Sequence, residues 1–370
     1  MAIGINSEYN EEDSCEHPQP EEKKPDVNDQ LAKLKKKIIR KPVKKIEEND
    51  NEEPPVKTEF KNFVSTRSTL LDLAISGNKS KFGGVPAGTI IEVFGPTSVG
   101  KSAILAELAS EVKIKGGEVL FCDPEARLDR EYTEIYGMKL EDSEYARPNT
   151  VEEMFDIIYN WKPKNPDKIN LIAADSLAAL STELELDKGD KMGMKRAKCF
   201  SEGLRKTCRM IANNNWIIVC SNQERDGEMG VTTPGGKGIP YYATVRIRVT
   251  PGKPAKIEKD KKVGVKELTK VIGIKSICEI KKNSVDEPYR TANLSLVFNY
   301  GIDSIRDELQ WYKEVTGDSK YSAFDGDYVR MDDAIGHIER NNLERRLKER
   351  TAKKWREIED AFRTQRKKRF

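Results

Sequence analysis

Gly95-Pro96-Thr97-Ser98-Val99-Gly100-Lys101-Ser102 sets two glycines five residues apart ahead of a lysine and a hydroxyl. The octet follows an apolar run (Ile90, Ile91, Val93, Phe94) and opens a helical pattern from Ala103 to Val112. Strand, glycine-bearing turn and helix in that order make a cradle for phosphate. The glycines let backbone N–H groups turn inward around phosphate oxygens, and the helix N-terminus adds partial positive charge. Lys101 is placed to reach the β- and γ-phosphates of a nucleotide, and the Ser102 hydroxyl to ligate Mg²⁺.

Further along, other apolar runs end in acids. Leu171-Ile172-Ala173-Ala174-Asp175 is a strand whose terminal carboxylate can hold a metal-bound water opposite Ser102. Val119-Leu120-Phe121-Cys122 runs into Asp123-Pro124-Glu125. A carboxylate beside the terminal phosphate can orient the attacking water, and Glu125 is the first choice for it, Asp123 the alternative. Thr89–Phe94, Val119–Cys122, Ile169–Ala174, Trp216–Cys220 and Val245–Val249 read as strands; Lys101–Val112, Val151–Tyr159 and Ala197–Ala212 read as helices. That alternation predicts an α/β fold with a mostly parallel sheet, its ligands at the carboxyl ends of the strands.

Charge is unevenly spread although the net value is only +3. Residues 1–28 carry eight acids against two lysines, and 30–46 carry eight basic residues and no acid. With few aromatics, 1–58 is expected to be largely disordered, with a short basic helix at 30–40 as the exception. The core is expected over 59–305. An extension over 306–370 ends in a charged helix with an apolar stripe of Leu343, Leu347, Trp355, Ile358 and Phe362. Its basic end (Arg363, Arg366, Lys367, Lys368, Arg369) is a frayed helix end or a secondary site that gathers duplex DNA. No apolar run approaches the ~20 residues needed to cross a bilayer. The six cysteines form no C-x-x-C pair, so neither a zinc ribbon nor a redox motif is suggested. A soluble cytoplasmic protein is expected, without membrane partners.

The stretch 222–240 (NQERDGEMGVTTPGGKGIP) is polar, holds five glycines and hangs off a strand end. Long loops of this kind in compact domains are usually functional or disordered. Gly235 and Gly236 permit close backbone approach to a ligand, and Lys237 adds charge. Basic residues at 195–209 offer a second patch.

Taken together these blocks resemble the RecA family. Ser65–Asp72, Gly83–Gly88, the octet, Asp175–Leu180, Ser221-Asn222-Gln223, and Thr232–Gly238 running into Tyr241–Arg246 match it in collinear order over roughly 60–305. The resemblance implies a RecA-type P-loop core with a central mostly parallel sheet flanked by helices, plus a small C-terminal α/β or helical extension. It implies an ATP- and Mg²⁺-dependent recombinase that forms helical filaments on single-stranded DNA and pairs it with homologous duplex DNA, assisted by mediator and single-strand-binding proteins. By position, Glu125 resembles the water-activating glutamate and Gln223 the sensor of the γ-phosphate, while Asp129 and Tyr132 resemble the adenine contacts. Met192, Gly193, Lys195, Arg196, Lys198 and Arg205 resemble the first DNA loop and its helix; Thr232, Thr233, Gly235, Gly236 and Lys237 resemble the second. Tyr241 resembles an interface aromatic, and Lys282 one of two lysines given to a neighbour's ATP site. Ser284 stands where the second is expected, with adjacent Lys281 as a substitute. The basic C-terminus departs from the bacterial pattern and is closer to a phage-encoded recombinase of the UvsX kind. The rival readings are a hexameric helicase or translocase on the same core and a binding-only accessory factor.

Overall fold

A computed structural model describes residues 60–366 apart from 184, 186–192 and 228–229. The basic helix expected at 30–40 lies outside the described residues. In chain order, β1 (Phe63–Val64), α1 (Thr69–Ser76) and β2 (Val85–Pro86) lead into β3 (Thr89–Gly95) and α2 (Lys101–Ile114). Next come β4 (Val119–Cys122), α3 (Arg130–Ile135), β5 (Tyr145–Ala146), α4 (Val151–Asn160), β6 (Asn170–Ala174), α5 (Gly193–Asn213) and β7 (Trp216–Gln223). Then follow β8 (Arg225–Gly227), β9 (Gly230–Thr232), α6 (Gly238–Tyr242), β10 (Val245–Val263), β11 (Lys266–Asn283), β12 (Thr291–Val297) and β13 (Gly301–Ile302). The chain ends in α7 (Ser304–Thr316), β14 (Tyr321–Ser322), β15 (Asp327–Tyr328), α8 (Met331–Arg340) and α9 (Glu344–Phe362).

One nine-stranded sheet has the order β13-β12-β11-β10-β3-β7-β6-β4-β5. The six strands from β10 to β5 are parallel, and β11 to β13 add an antiparallel flank. Successive side chains leave a strand on opposite faces, so each central strand feeds two cores. Ile91 and Val93, Val119 and Phe121, Leu171 and Ala173, Ile217 and Val219 pack with Ile104, Leu105 and Leu108 of α2. Their neighbours Ile90, Leu120, Ile172 and Ile218 pack with Phe155 and Ile158 of α4 and Phe200 of α5. Strands buried on both faces are nearly continuous apolar runs, which is why they stand out in the sequence. Three helices start on side chains that accept orphan N–H groups: Ser68 from Leu71, Thr150 from Glu153, Asp303 from Arg306.

β10 and β11 run far beyond the sheet as a two-stranded ribbon. Their pairing continues to Val263↔Lys266, and residues 258–270 are exposed on both strands. The register shifts between Pro251 and Lys256, a bulge that accommodates Pro251 and Pro254, neither of which can donate to the ladder. Gly264 (φ +64°) turns the tip and Val265 beside it is 96% exposed. Seven lysines against three acids lie between 253 and 270, and Lys259 pairs with Asp332 of α8 at 2.9 Å.

The C-terminal segment packs into the same compact unit as the sheet. Thr69 donates from its hydroxyl to Glu308 (2.8 Å) and from its amide to Ser304 Oγ (3.0 Å), tying α1 to α7. Trp355 of α9 packs with Leu73 of α1. Of the apolar stripe expected on α9, Leu347 and Trp355 are buried, whereas Phe362 is 87% exposed. Cys122, Cys220 and Cys278 are buried free thiols. Among the described residues no helix is long and apolar enough to cross a membrane.

Asp307 of α7 is buried and accepts from the Ser295 amide (2.7 Å) and hydroxyl (2.6 Å) of β12. Burial pushes its carboxyl up to about 7, against those two hydrogen bonds. Between the unfolded value near 4 and about 7 only the unfolded chain is ionised, so this carboxyl's contribution to stability is lost as pH rises through that window. Asp307→Asn is therefore expected to gain on the parent from pH 4 to pH 8, by on the order of 4 kcal/mol. Thermal melts across that range check it; a gap that does not change with pH would contradict the perturbed carboxyl.

Candidate nucleotide and nucleic-acid site

Four parallel strands, β3, β4, β6 and β7, end at one edge and deliver Gly95, Asp123, Asp175 and Gln223. Gly95 (φ +154°) and Gly100 (φ +89°) give the 95–102 turn its shape, and Gly100 caps α2. Gly95 also lies so near β10 that a Cβ there would stand 2.0 Å from the Val249 carbonyl oxygen. Val99 is buried and its carbonyl accepts from Ser276 Oγ at 2.9 Å, anchoring the turn to β11. The resulting cleft of about 440 Å³ is lined at one end by Thr97, Ser98, Lys101, Ser102, Asp175 and Gln223. Leu128, Asp129, Thr133, Tyr136 and Leu296 line it elsewhere. Tyr132 belongs to α3, and its side chain lies outside the described residues.

Lys101 Nζ donates to the Gly95 (3.1 Å) and Pro96 (2.6 Å) carbonyls inside its own turn. Burial lowers the pKa of its ammonium, and the Asp175, Glu224 and Glu125 carboxylates oppose that shift. Asp175 accepts a short hydrogen bond from Ser221 Oγ. The two acids after β4 divide. Asp123 Oδ2 accepts from the Leu128 amide (2.8 Å) and the Tyr145 hydroxyl (2.7 Å) and so builds the loop. Glu125 pairs with Arg127 at 2.8 Å and faces the cleft. Among the described residues no group of three or more His, Cys, Asp or Glu side chains converges to hold a metal alone. Ser102 and Asp175 offer hard oxygens on one side only, which suits Mg²⁺ completing its shell with phosphate and water.

β7 joins the cleft to the polar segment. Asn222 Nδ2 donates to Glu92 Oε1 (3.1 Å) and to the Pro234 carbonyl (2.9 Å). Glu92 is fully buried and pairs with Arg246 at 2.5 Å, whose guanidinium lies over Phe94. Sequence reasoning misses Glu92 and Asn222, although an acid inside an apolar strand is a visible signal: a buried charge needs a partner.

The segment 222–240 is more ordered than the polar loop expected from its composition, since β8 and β9 pair as a hairpin. Thr232 and Lys237 are exposed, while Thr233 is buried with an unpartnered hydroxyl. On the side where a Cβ would stand, Gly235 and Gly236 are closely packed by the chain itself. A Cβ at Gly235 (φ +97°) would meet Ile239 Cδ1 at 2.5 Å, and one at Gly236 (φ +68°) would meet Ala197 Cβ of α5 at 2.5 Å. These glycines press the hairpin base onto α5. On α5, which begins at Gly193, Arg196 donates to the Leu180 carbonyl (3.2 Å), Lys198 faces Glu202 at 3.8 Å and Arg205 is exposed. Lys195 is half-buried. Met192 lies outside the described residues.

Tyr241 is 75% exposed and edge-on to Tyr242. Lys282 Nζ donates to the Pro240 (2.9 Å) and Tyr241 (2.8 Å) carbonyls of α6. Lys281 pairs with Glu279 at 2.7 Å. A register shift falls at Lys281, since Arg246 lies opposite Lys282 and Ile247 opposite Ile280.

A family model described as the RecA N-terminal domain matches residues 26–303. The chain is 33% identical over 253 residues to Protein RecA of Thermus thermophilus, covering 66% of this chain and 69% of that protein. It is 34% identical over 248 residues to Protein RecA of Rickettsia canadensis, covering 65% and 67%. To Protein RecA of Ruminococcus albus it is 31% identical over 254 residues, covering 66% and 59%.

Proposed function

The chain belongs to the RecA family, and from that premise we propose that its cleft binds ATP·Mg²⁺ and that its 222–240 hairpin and α5 grip single-stranded DNA. It is a DNA-dependent ATPase with recombinase function, and the family binds DNA and forms filaments. In the finer reading, ATP sits where two protomers of a filament meet in the cytoplasm, and the filament pairs the bound strand with a homologous duplex. Mediators and single-strand-binding proteins govern its loading. Lys101 and the 95–102 turn hold the phosphates, Ser102 and Asp175 the metal, Asp129 and Tyr132 the adenine, and Glu125 orients the attacking water. Lys282 and Tyr241 work at the protomer seam, and Gln223 senses the γ-phosphate. The 31–34% identity to bacterial relatives and the basic C-terminal helix support a divergent member, of the phage UvsX kind.

The observation that carries this reading is Asn222. One side chain, next to Gln223 at the cleft, holds the Pro234 carbonyl of the hairpin at 2.9 Å. A shift at the end of β7 when phosphate arrives is thereby passed to the segment that meets DNA. A fluorescent oligothymidylate is expected to bind tightly with a slowly hydrolysed ATP analogue and weakly with ADP or no nucleotide. Equal affinity in all three states would remove the coupling, and closed six-membered rings in negative-stain images would favour the helicase. Gly236→Leu should leave ATP binding intact and weaken oligothymidylate binding by roughly tenfold, about 1.4 kcal/mol. Parallel loss of both affinities would speak against this assignment of the hairpin.

A further inference from the structure

The cleft is short of positive charge. Asp123, Glu125, Asp129 and Asp175 line it, and among the described residues only Lys101 and Arg127 line it as cations. A Mg²⁺ nucleoside triphosphate still carries net negative charge, and hydrolysis gathers more of it on the phosphate oxygens. Both cations hold local partners. Lys101 sits on two carbonyls of its own turn, and Arg127 Nη1 sits 2.8 Å from Glu125 Oε2. The carboxylate lies only two residues before Arg127, and the Arg127 side chain is 80% exposed, so it is free to turn. Little solvation is lost when so exposed a guanidinium changes partner, and its planar fork suits phosphate oxygens as well as carboxylate.

We propose that Arg127 is a catalytic arginine supplied in cis, which leaves Glu125 for the terminal phosphate of bound ATP. The exchange does two things at once. It brings a second cation to the phosphate where charge develops, and it frees the carboxylate that receives the proton of the attacking water. The water oxygen bonds to the γ-phosphorus, the bridging P–O bond breaks with its electrons going to ADP, and the water proton passes to Glu125. Without a terminal phosphate the guanidinium stays on Glu125 and occupies that carboxylate. The inference rests on the ATP-site reading above and deepens it: the cleft discriminates triphosphate from diphosphate partly through Arg127.

The test uses the full chain with single-stranded DNA and three variants, Arg127→Ala, Arg127→Lys and Lys101→Ala. Arg127→Ala is expected to lower kcat by about 30- to 100-fold while changing ADP affinity by less than about twofold. Affinity for ADP with aluminium fluoride, a mimic of the transferring phosphoryl group, should fall along with kcat. Arg127→Lys should recover some of the rate, and millimolar guanidinium should partly rescue Arg127→Ala. An unchanged kcat overturns the proposal. So does equal weakening of ADP and ATP-analogue binding with kcat intact, which would place Arg127 on the nucleoside. A lower kcat with neither guanidinium rescue nor loss of aluminium fluoride affinity also overturns it, since Arg127 would then only brace Glu125. Lys101→Ala separates the levels: if that variant still hydrolyses ATP, the site reading itself has failed, whatever Arg127 does.

Discussion

Lys101→Ala is expected to lower DNA-stimulated ATP hydrolysis by about 10³-fold, the upper range for removing one preorganised donor from a developing anion. Three structural facts argue for so large a loss. Lys101 opens α2, so its position is set by the 95–102 turn and by a helix packed across one face of the sheet. Its ammonium is partly desolvated, which strengthens its interaction with any anion that enters. Its present partners, the Gly95 and Pro96 carbonyls, are weaker acceptors than phosphate, so the swap to substrate favours binding. Those two bonds stay within its own turn, and the variant should melt with the parent. Steady-state phosphate release with saturating oligothymidylate measures the effect. Turnover within tenfold of the parent would show that the turn is not the phosphate cradle.

Gly95→Ala should have the largest effect on folding. Its Cβ would lie 2.0 Å from the Val249 carbonyl oxygen, at a backbone angle (φ +154°) that side chains rarely adopt. β10 pairs directly with β3 from Val245↔Ile91 to Arg248↔Phe94, so relief of the clash must pull β10 away from β3 at the middle of a nine-stranded sheet. Overpacking and backbone strain together cost about 3–5 kcal/mol, a large share of the roughly 5–15 kcal/mol typical of a folded domain. A fall in Tm of roughly 10 °C, or loss of soluble protein, is expected. Gly264→Ala is the control. It has a positive φ (+64°) but nothing within 4 Å of the added carbon, and should leave the main melt unchanged. If Gly95→Ala melts with the parent, the close approach of β10 is not a constraint on the fold.

Residues buried on both sides are the ones most legible in the sequence. The runs at 119–122 and 216–220 are apolar throughout, and 89–94 is apolar apart from Thr89 and Glu92, because two cores compete for them; each is a strand paired on both sides. Asp123 and Asp175 can be found in the same way, since each closes an apolar run, 119–122 and 171–174, and a carboxylate there marks a strand end. The antiparallel half is harder to see. The outer stretches of β10 and β11 are lysine-rich and interrupted by Pro251 and Pro254, so neither propensity nor periodicity favours strand; only cross-strand pairing makes them one. Gly235 and Gly236 stand out in the sequence, but nothing local says that α5 will lie against them. Arg127 escapes sequence reasoning because a basic residue near an acid is common, and only their common cleft makes the pair significant.

The ribbon of β10 and β11 has its own thermodynamics. Beyond Ile257 its rungs are bonded only to each other, with no third strand and no apolar layer beneath them among the described residues. Such an arm opens at a free energy far below that of global unfolding. Its amides should exchange with solvent long before those of the sheet that carries it. A calorimeter watching the main transition will hardly register the arm, whereas any surface that settles on it will slow that exchange residue by residue.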